Sequence, residues 1–472
     1  MMAVAYLANQ FPSPVEPYVV DEIEELRRRG IEVIAGSVRR PDEGVRLSWG
    51  EDRDPEFVVL QPVAIVLAMK AAWLCLRRWR RIADLLQRVI LQGHETLMQR
   101  GKALLHTWLG ACYALRLEKR GVVNIHVHHG YFGAWVAMVA ARLLNVGYSM
   151  TLHGSDLLTG AAYLDTKLKN CRFCVTISEY NRRYILEHYS TIEAGRVVVS
   201  RLGVDVPEPA RFSAAKVRSS IFEGGTVQNA GDSRLDSRLD SRLDSRLISR
   251  LHVLAVGRLH AVKDHAFLLR ACDQLNQRGV DFQCEIAGEG PERPKLERLI
   301  QEYGLAARVR LLGHVPRERQ DSLYQSADVV VLTSRSEGIP LVLMEAMARG
   351  KIVVAPAITG IPELVATGQT GFLYEPGSVE DFVERILWLD SLMSVREPRG
   401  GSAVVPGANH LDWVRQRARE QVRLHFNRRK NLELFGDVFL ERIVRTQIPR
   451  ERILPGQILP ARNRSGGNRR TA

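Results

Sequence analysis

The chain has 472 residues, 46% of them hydrophobic, and a formal net charge of +13. That length holds about three domains with full cores, and the composition excludes both a disordered polyelectrolyte and a small disulfide-stapled scaffold, since six cysteines give no framework in a chain this long. The positive excess is local, in Arg77, Arg78, Arg80 and Arg81 and in six arginines between Arg450 and Ala472, so it points to an anionic substrate or lipid as readily as to nucleic acid.

The opening MMAVAYLANQF has no basic n-region and no cleavage site, so a cytoplasmic protein is expected, with the inner face of the plasma membrane as its nearest lipid surface. Residues 3–7 read as a strand, residues 9–17 as a loop, the chain up to Gly30 as a helix and residues 32–36 as a second strand. This βαβ start calls for a parallel sheet covered on both faces. The loop, NQFPSPVEP, has three prolines and no glycine, so no phosphate cradle is expected there.

Residues 63–76, VAIVLAMKAAWLCL, are apolar but fall short of the roughly 20 residues that span a bilayer. With RRWRR following directly, they read either as an interfacial helix on an anionic membrane or as a core helix with a solvated basic end. Residues 124–129, NIHVHH, read as a strand leading to a helix at 133–144. The next strand, 148–152, ends in HGSD. Alternation puts His126 and His128 on one face of their strand. With no carboxylate or cysteine at ligand spacing, they read as hydrogen-bonded strand histidines rather than metal ligands. The lone CxxC, Cys171 and Cys174, reads as a buried structural pair. His153 stands at the carboxyl end of a strand, where open α/β sheets bind ligands. Strands at 175–177 and 197–199 complete this half.

Residues 232–251 repeat DSRL four times and end in ISRL. Helical stacking there would set Asp on Asp and Arg on Arg, so a disordered linker is expected. Beyond it the βαβ rhythm restarts, with strands at 252–256, 282–287, 309–312 and 327–333. The last strand runs into SRSEGIPLVLMEAMARGK, where Pro340 suits the first position of a helix that stops at Gly350. A helix N-terminus favours an anion, above all a diphosphate. Glu337 and Glu345, with seven residues between them, can hold the two ends of a sugar nucleotide; their bland alternative is a helix cap and a solvated surface residue. Arg258 and Lys263 lie beyond a strand end and can balance a diphosphate.

GRL followed by Lys263, AGEGP at 287–291, LLGHV at 311–315 and the E-x7-E of SEGIPLVLMEAMA resemble the retaining glycosyltransferases of family 4. The first half, with YLANQFPSPVEPYVV, HVHHGYFGAW, TLHGSD and CRFCVTISEYNRRYI, is similar to the colanic acid and exopolysaccharide branch. The resemblance implies the GT-B fold, two Rossmann-like doubly wound domains facing across a cleft. It divides the chain into an acceptor-side domain at 1–208, a linker at 209–250, a donor domain at 251–392, a loop at 393–411, helices at 412–446 that cross back to the first domain, and a disordered basic tail at 447–472.

By the same resemblance Arg258 and Lys263 grip the diphosphate, Glu345 the ribose, backbone near Val315 the base, and Glu337 with the amides of Gly338, Ile339 and Leu341 the sugar. His153 and Glu337 flank the reacting centre, and Asn9, Glu16 and Asp156 lie on the acceptor side. The implied activity is metal-independent hexosyl transfer with retention, from a uridine or guanosine diphosphate hexose to a saccharide or lipid-linked saccharide. No cofactor and no nucleic acid are expected, and peripheral contact with an anionic membrane is. The one D-x-D, Asp52 to Asp54, falls in a polar loop, so no metal is expected. Three features depart from the pattern: the glycine-free first loop, Arg201 and Leu202 before GVD where relatives carry an asparagine, and the tetrad insertion. Rival readings are a GT-B phosphorylase or epimerase, and a basic lipid- or nucleic-acid-binding protein on a degenerate scaffold; intact Arg258, Lys263, Glu337 and Glu345 argue against degeneracy.

Overall fold

A computed structural model describes residues 2–13, 16–41, 57–158, 160–207, 250–394 and 406–444. The tetrad repeat up to Ser249, the D-x-D and the arginine-rich tail lie outside the described residues. Two open parallel sheets organise the rest. The first contains β1 (Ala3–Gln10), β2 (Glu32–Arg39), β3 (Val58–Val59), β4 (Val122–His128), β5 (Gly147–Leu152), β6 (Cys174–Thr176) and β7 (Val197–Val199), in the order β3-β2-β1-β4-β5-β6-β7. The second contains β8 (Leu251–Val256), β9 (Phe282–Ala287), β10 (Val309–Gly313), β11 (Val329–Val331), β12 (Ile352–Pro356) and β13 (Phe372–Tyr374), in the order β10-β9-β8-β11-β12-β13. These are the two Rossmann-like domains of the GT-B fold.

Both sheets are covered on both faces, which is why inner strands such as β11 and β12 are continuous β-branched apolar runs rather than alternating ones. In the first domain helix Phe132–Leu144 is buried along nearly its whole length between the sheet and helix Leu97–Leu117. The approach of these two helices depends on Gly110, where a Cβ would stand 2.7 Å from Cβ of Val139. On the other face, helix Arg428–Val444 returns from the second domain and packs Phe435, Phe439 and Ile443 against Tyr6, Val19 and Phe173. Arg29 fastens it, donating to Asp437 at 2.5 Å and to the carbonyl of Glu433 at 2.6 Å.

Three expected boundaries move. Pro340 does not open the helix but precedes it, in extended conformation, and the helix is Leu341–Ala348. Pro406, inside the expected loop at 393–411, does open one, Pro406–His425, because its fixed φ suits a first helical turn. The helix before it, Val379–Ser394, likewise runs past the expected end of the donor domain at 392.

Candidate functional site

In each sheet the strand order reverses once, between β1 and β4 in the first and between β8 and β11 in the second. The connections on the two sides of such a point lead away in opposite directions, which leaves a crevice at the carboxyl ends of those strands. Glu16, at the end of the loop after β1, and His129, which follows β4, flank the first crevice. Arg258, Lys263 and Glu337 flank the second. The sequence motifs are therefore the residues that the topology places at the switch points.

On the second crevice, Lys263 donates from Nζ to Oε1 of Glu337 at 2.5 Å, both side chains being mostly buried. The carbonyl of Lys263 accepts from Thr333 at 2.9 Å, and that of Glu337 from Thr359 at 2.5 Å, so the ion pair is held by its own backbone. Arg258 is exposed at the end of β8. Helix Leu341–Ala348 has no side-chain cap at its N-terminus, so its first amides are open to a ligand. The hydroxyls of Ser334 and Ser336 are enclosed and find no partner among the described residues, an arrangement that a polar ligand would relieve. Glu345 sits one helix turn further on and accepts from the Tyr324 hydroxyl at 2.7 Å. Val315 lies beyond β10, apart from this cluster in the chain, and Ile339 is buried behind the loop.

On the first crevice, residues distant in sequence form one network. His128 bonds through Nδ1 to Nε2 of His153 at 3.1 Å and through Nε2 to Glu22 at 3.1 Å; Glu22 also accepts from Tyr6 at 3.3 Å. His129 bonds Glu16 at 2.9 Å and stands 3.7 Å from Asp156. Asp156 is fully buried and accepts from the amides of Gly130 (2.8 Å), Gly154 (2.9 Å), Leu157 (3.1 Å) and His153 (3.2 Å). Tyr18 stacks on His153 with ring centroids 4.5 Å apart.

The electrostatics follow from this wiring. Burial pulls the His129 imidazolium down, but Asp156 and Glu16 outweigh it and hold the group up to about 9. Burial raises Glu16 and Asp156, and the His129 charge and hydrogen bonds overcome it, so both carboxyls titrate below their usual range. His153 is driven well below the usual histidine range, first by burial and then by the charge of His129 and its other histidine neighbours. The same wiring thus favours charge on His129 and disfavours it on His153.

Two expectations change here. Asp156 was placed among acceptor contacts, yet its carboxylate faces inward and is saturated by backbone amides; it shapes the loop that carries His153. The histidines do have a nearby carboxylate, Glu22, supplied by helix Pro17–Arg28 rather than by sequence neighbours. Glu22, His126 and His128 come within metal-ligand spacing, but His126 already bonds Ser149 at 2.8 Å and Thr151 at 3.0 Å, and His128 uses both its nitrogens. Asn9 is exposed at the end of β1, while Glu16 is directed to His129.

The two crevices meet. A Cβ on Gly338 would stand 2.3 Å from the carbonyl oxygen of His153, and one on Gly154 would stand 3.2 Å from Cα of Gly338. The loop that follows Glu337 thus lies against the loop that carries His153, with Arg258 close enough to lower Glu16. Glu363 ties the domains again, accepting from the amides of Tyr180 (2.7 Å) and Glu179 (3.1 Å) at the start of helix Glu179–His188, and from Arg201 at 3.4 Å. Tyr18, Glu22 and Asn181, a buried amide beside Gly154 with no partner among the described residues, carry no signal in the sequence that marks them as site residues, and His129 shows there only as one of three clustered histidines. The HVHH and SEYN motifs contain His129 and Asn181; nothing local marks Tyr18 or Glu22.

Residues 249–397 match the family described as Glycosyl transferases group 1. Over 465 residues the chain is 30% identical to a protein of Escherichia coli K12 named as a colanic acid biosynthesis glycosyltransferase, WcaL, covering 90% of this chain and 96% of that one. It is 38% identical over 138 residues to alpha-D-kanosaminyltransferase of Streptomyces kanamyceticus, of which it spans only 36%. Among solved structures, Anabaena Alr3699/HepE in complex with UDP and glucose aligns with a TM-score of 0.62 at 16% identity, over 93% of this chain and all of that one. Sucrose-phosphate synthase of Thermosynechococcus elongatus aligns at 0.65 and 18% identity, over 94% of this chain and all of that one. At such identities the structures speak for the fold alone.

Proposed function

The chain belongs to the group 1 glycosyltransferases, and we propose that it moves a hexose with retention, without metal, from a uridine or guanosine diphosphate sugar to a saccharide or lipid-linked saccharide. The observation that carries this reading is the meeting of the two switch-point crevices at Gly338 and His153. It puts a cationic rim with open helix amides opposite a prearranged histidine cluster.

In this reading Arg258, Lys263 and the first amides of helix Leu341–Ala348 receive the diphosphate. Lys263 leaves Glu337 for the phosphate, which frees the Glu337 carboxylate to accept from sugar hydroxyls, together with the amides of Gly338, Ile339 and Leu341. Tyr324 orients Glu345 toward the ribose, and backbone near Val315 meets the base. Charge accumulates on the leaving phosphate as the glycosidic bond breaks. Fixed cations and dipoles there stabilise the transition state more than the ground state, and the departing phosphate can take the acceptor proton on the same face.

On the opposite wall, a carboxylate only accepts, so Nε2 of His128 carries the proton toward Glu22. With Nε2 so committed, Nδ1 of His128 can accept from Nε2–H of His153, which leaves Nδ1 of His153 as the acceptor. Glu16 and Asn9 remain for the acceptor side.

Thermal unfolding in the presence of uridine and guanosine diphosphate sugars, with chelator present, tests the donor. One of them should raise the melting temperature, and Lys263→Ala should abolish the shift. No shift from any nucleotide sugar would overturn the reading. Anomeric analysis of the product by NMR checks retention.

A further inference from the structure

Helix Ile65–Arg77 is apolar on two sides. Leu67, Ala71, Leu74 and Cys75 pack into the first domain. Ile65, Val66, Met69, Trp73 and Leu76 occupy a roughly 100° arc on the other side and are 58–78% exposed. The neighbouring helix Leu97–Leu117, joined through a bond from Trp108 Nε1 to the carbonyl of Ala68 at 3.1 Å, adds Leu97 (87% exposed) and Leu105 (52%). Isolated exposed apolar residues are ordinary, but a contiguous face of this kind marks an interaction surface.

The charges around it identify the occupant. Lys70, Arg77, Arg80 and Lys102 are exposed at its border, beside the exposed Trp79, whereas Arg78 is bonded to Glu118 and Arg81 to the carbonyl of Leu143. A second copy of the chain on this face would bring like charges together. The tail after Arg450, itself rich in arginine, would do the same. An anionic bilayer neutralises them, and interfacial tryptophans suit its headgroup layer. No helix among the described residues is long and apolar enough to cross a membrane, so the contact is peripheral.

We propose that this face seats the protein on an anionic lipid bilayer. From its edge, His106 stacks on Phe132 at 5.2 Å, and two residues before Phe132 in the chain turn back to His129, whose ring stacks on Tyr131 at 6.0 Å. The seat therefore borders the first-domain crevice, where a lipid-linked acceptor would arrive; this last link rests on the function proposed above, the seat itself does not.

Co-sedimentation of the full chain with vesicles tests the seat, with no donor present, so that its failure leaves the nucleotide-sugar reading standing. At about 0.1 M salt, binding to vesicles of equal parts phosphatidylglycerol and phosphatidylcholine should exceed binding to pure phosphatidylcholine by about tenfold or more. The double substitutions Arg77→Glu/Arg80→Glu and Met69→Glu/Leu76→Glu should each reduce it by about tenfold. Both variants should keep the wild-type melting temperature and donor-induced shift. The proposal is overturned if the wild type does not bind anionic vesicles, if Met69→Glu/Leu76→Glu binds them as well as wild type, or if that variant only converts a dimer into a monomer in light scattering.

Discussion

The two crevices use opposite strategies. On the second domain the ligand groups are near one another in sequence and incompletely paired: Arg258 is exposed, helix Leu341–Ala348 is uncapped, and Lys263 has one carboxylate for company. On the first domain the groups are far apart in sequence and closely bonded, Asp156 to four amides and His128 to both a histidine and a glutamate. One wall is left with bonds for a ligand to complete; the other is fixed before any ligand arrives. Pairing is cheap to rearrange on the second domain and costly on the first, so the same kind of substitution should read out as lost binding on one side and lost stability on the other.

The sharpest break of that contrast is Asp156→Ala, which strands the buried amides of Gly130, His153 and Gly154 and leaves the His129 charge with Glu16 alone. It should cost about 3–5 kcal/mol in urea unfolding, whereas Lys263→Ala, which leaves one mostly buried carboxylate unpaired, should cost about 1–3 kcal/mol and lower kcat/KM by about 10²–10³. Equal stability losses in the two would erase the distinction.

Glu22→Gln comes next. It preserves shape but lets the carboxamide present a donor to His128, which unsettles the tautomer of His153. A drop in kcat of up to about a hundredfold is expected, with the donor KM unchanged. A rise in donor KM with kcat intact would place Glu22 on the wrong side of the comparison.

The pH dependence of stability sharpens it further. His129 is held up to about 9 in the fold, so its contribution is complete below its ordinary value near 6.5 and is lost as pH rises through about 9. Glu16 and Asp156 are depressed, so theirs is complete above the ordinary carboxylate range and is lost in acid. Wild type should therefore exceed His129→Gln by about 2–3 kcal/mol near pH 6, with the gap closing toward pH 10. A constant gap would mean that His129 is not a cation.

The smallest effects concern the seam. Glu363 caps a helix of the other domain, so Glu363→Ala should cost about 1 kcal/mol. Arg201→Ala, at a partly exposed pair, should cost less. Small-angle scattering would show whether either loosens the domains.

The donor-side motifs were readable because each lies within one loop after one strand: GRL with Lys263, and SEG before its helix. Lys263 and Glu337 are 74 residues apart, but both loops follow strands at the switch point, so chain order alone suggested that they share a rim. Glu22 was not readable. On helix Pro17–Arg28 it stands among charged residues that look solvated, yet it is 4% exposed because Tyr6 and His128 enclose it from two different strands. Arg201, read as a departure from the family pattern, became intelligible only once Glu363 of the other domain was beside it.

The order of strands and helices, the two parallel sheets, the family and the loops that could hold a ligand were set by the sequence, because period, propensity and turn chemistry act over a few residues. Tertiary structure decided which carboxylate meets which histidine, which of two prolines opens a helix, and which apolar face of helix Ile65–Arg77 stays uncovered. Those outcomes depend on strand order and register, which bring together groups more than a hundred residues apart, and no local pattern carries that distance.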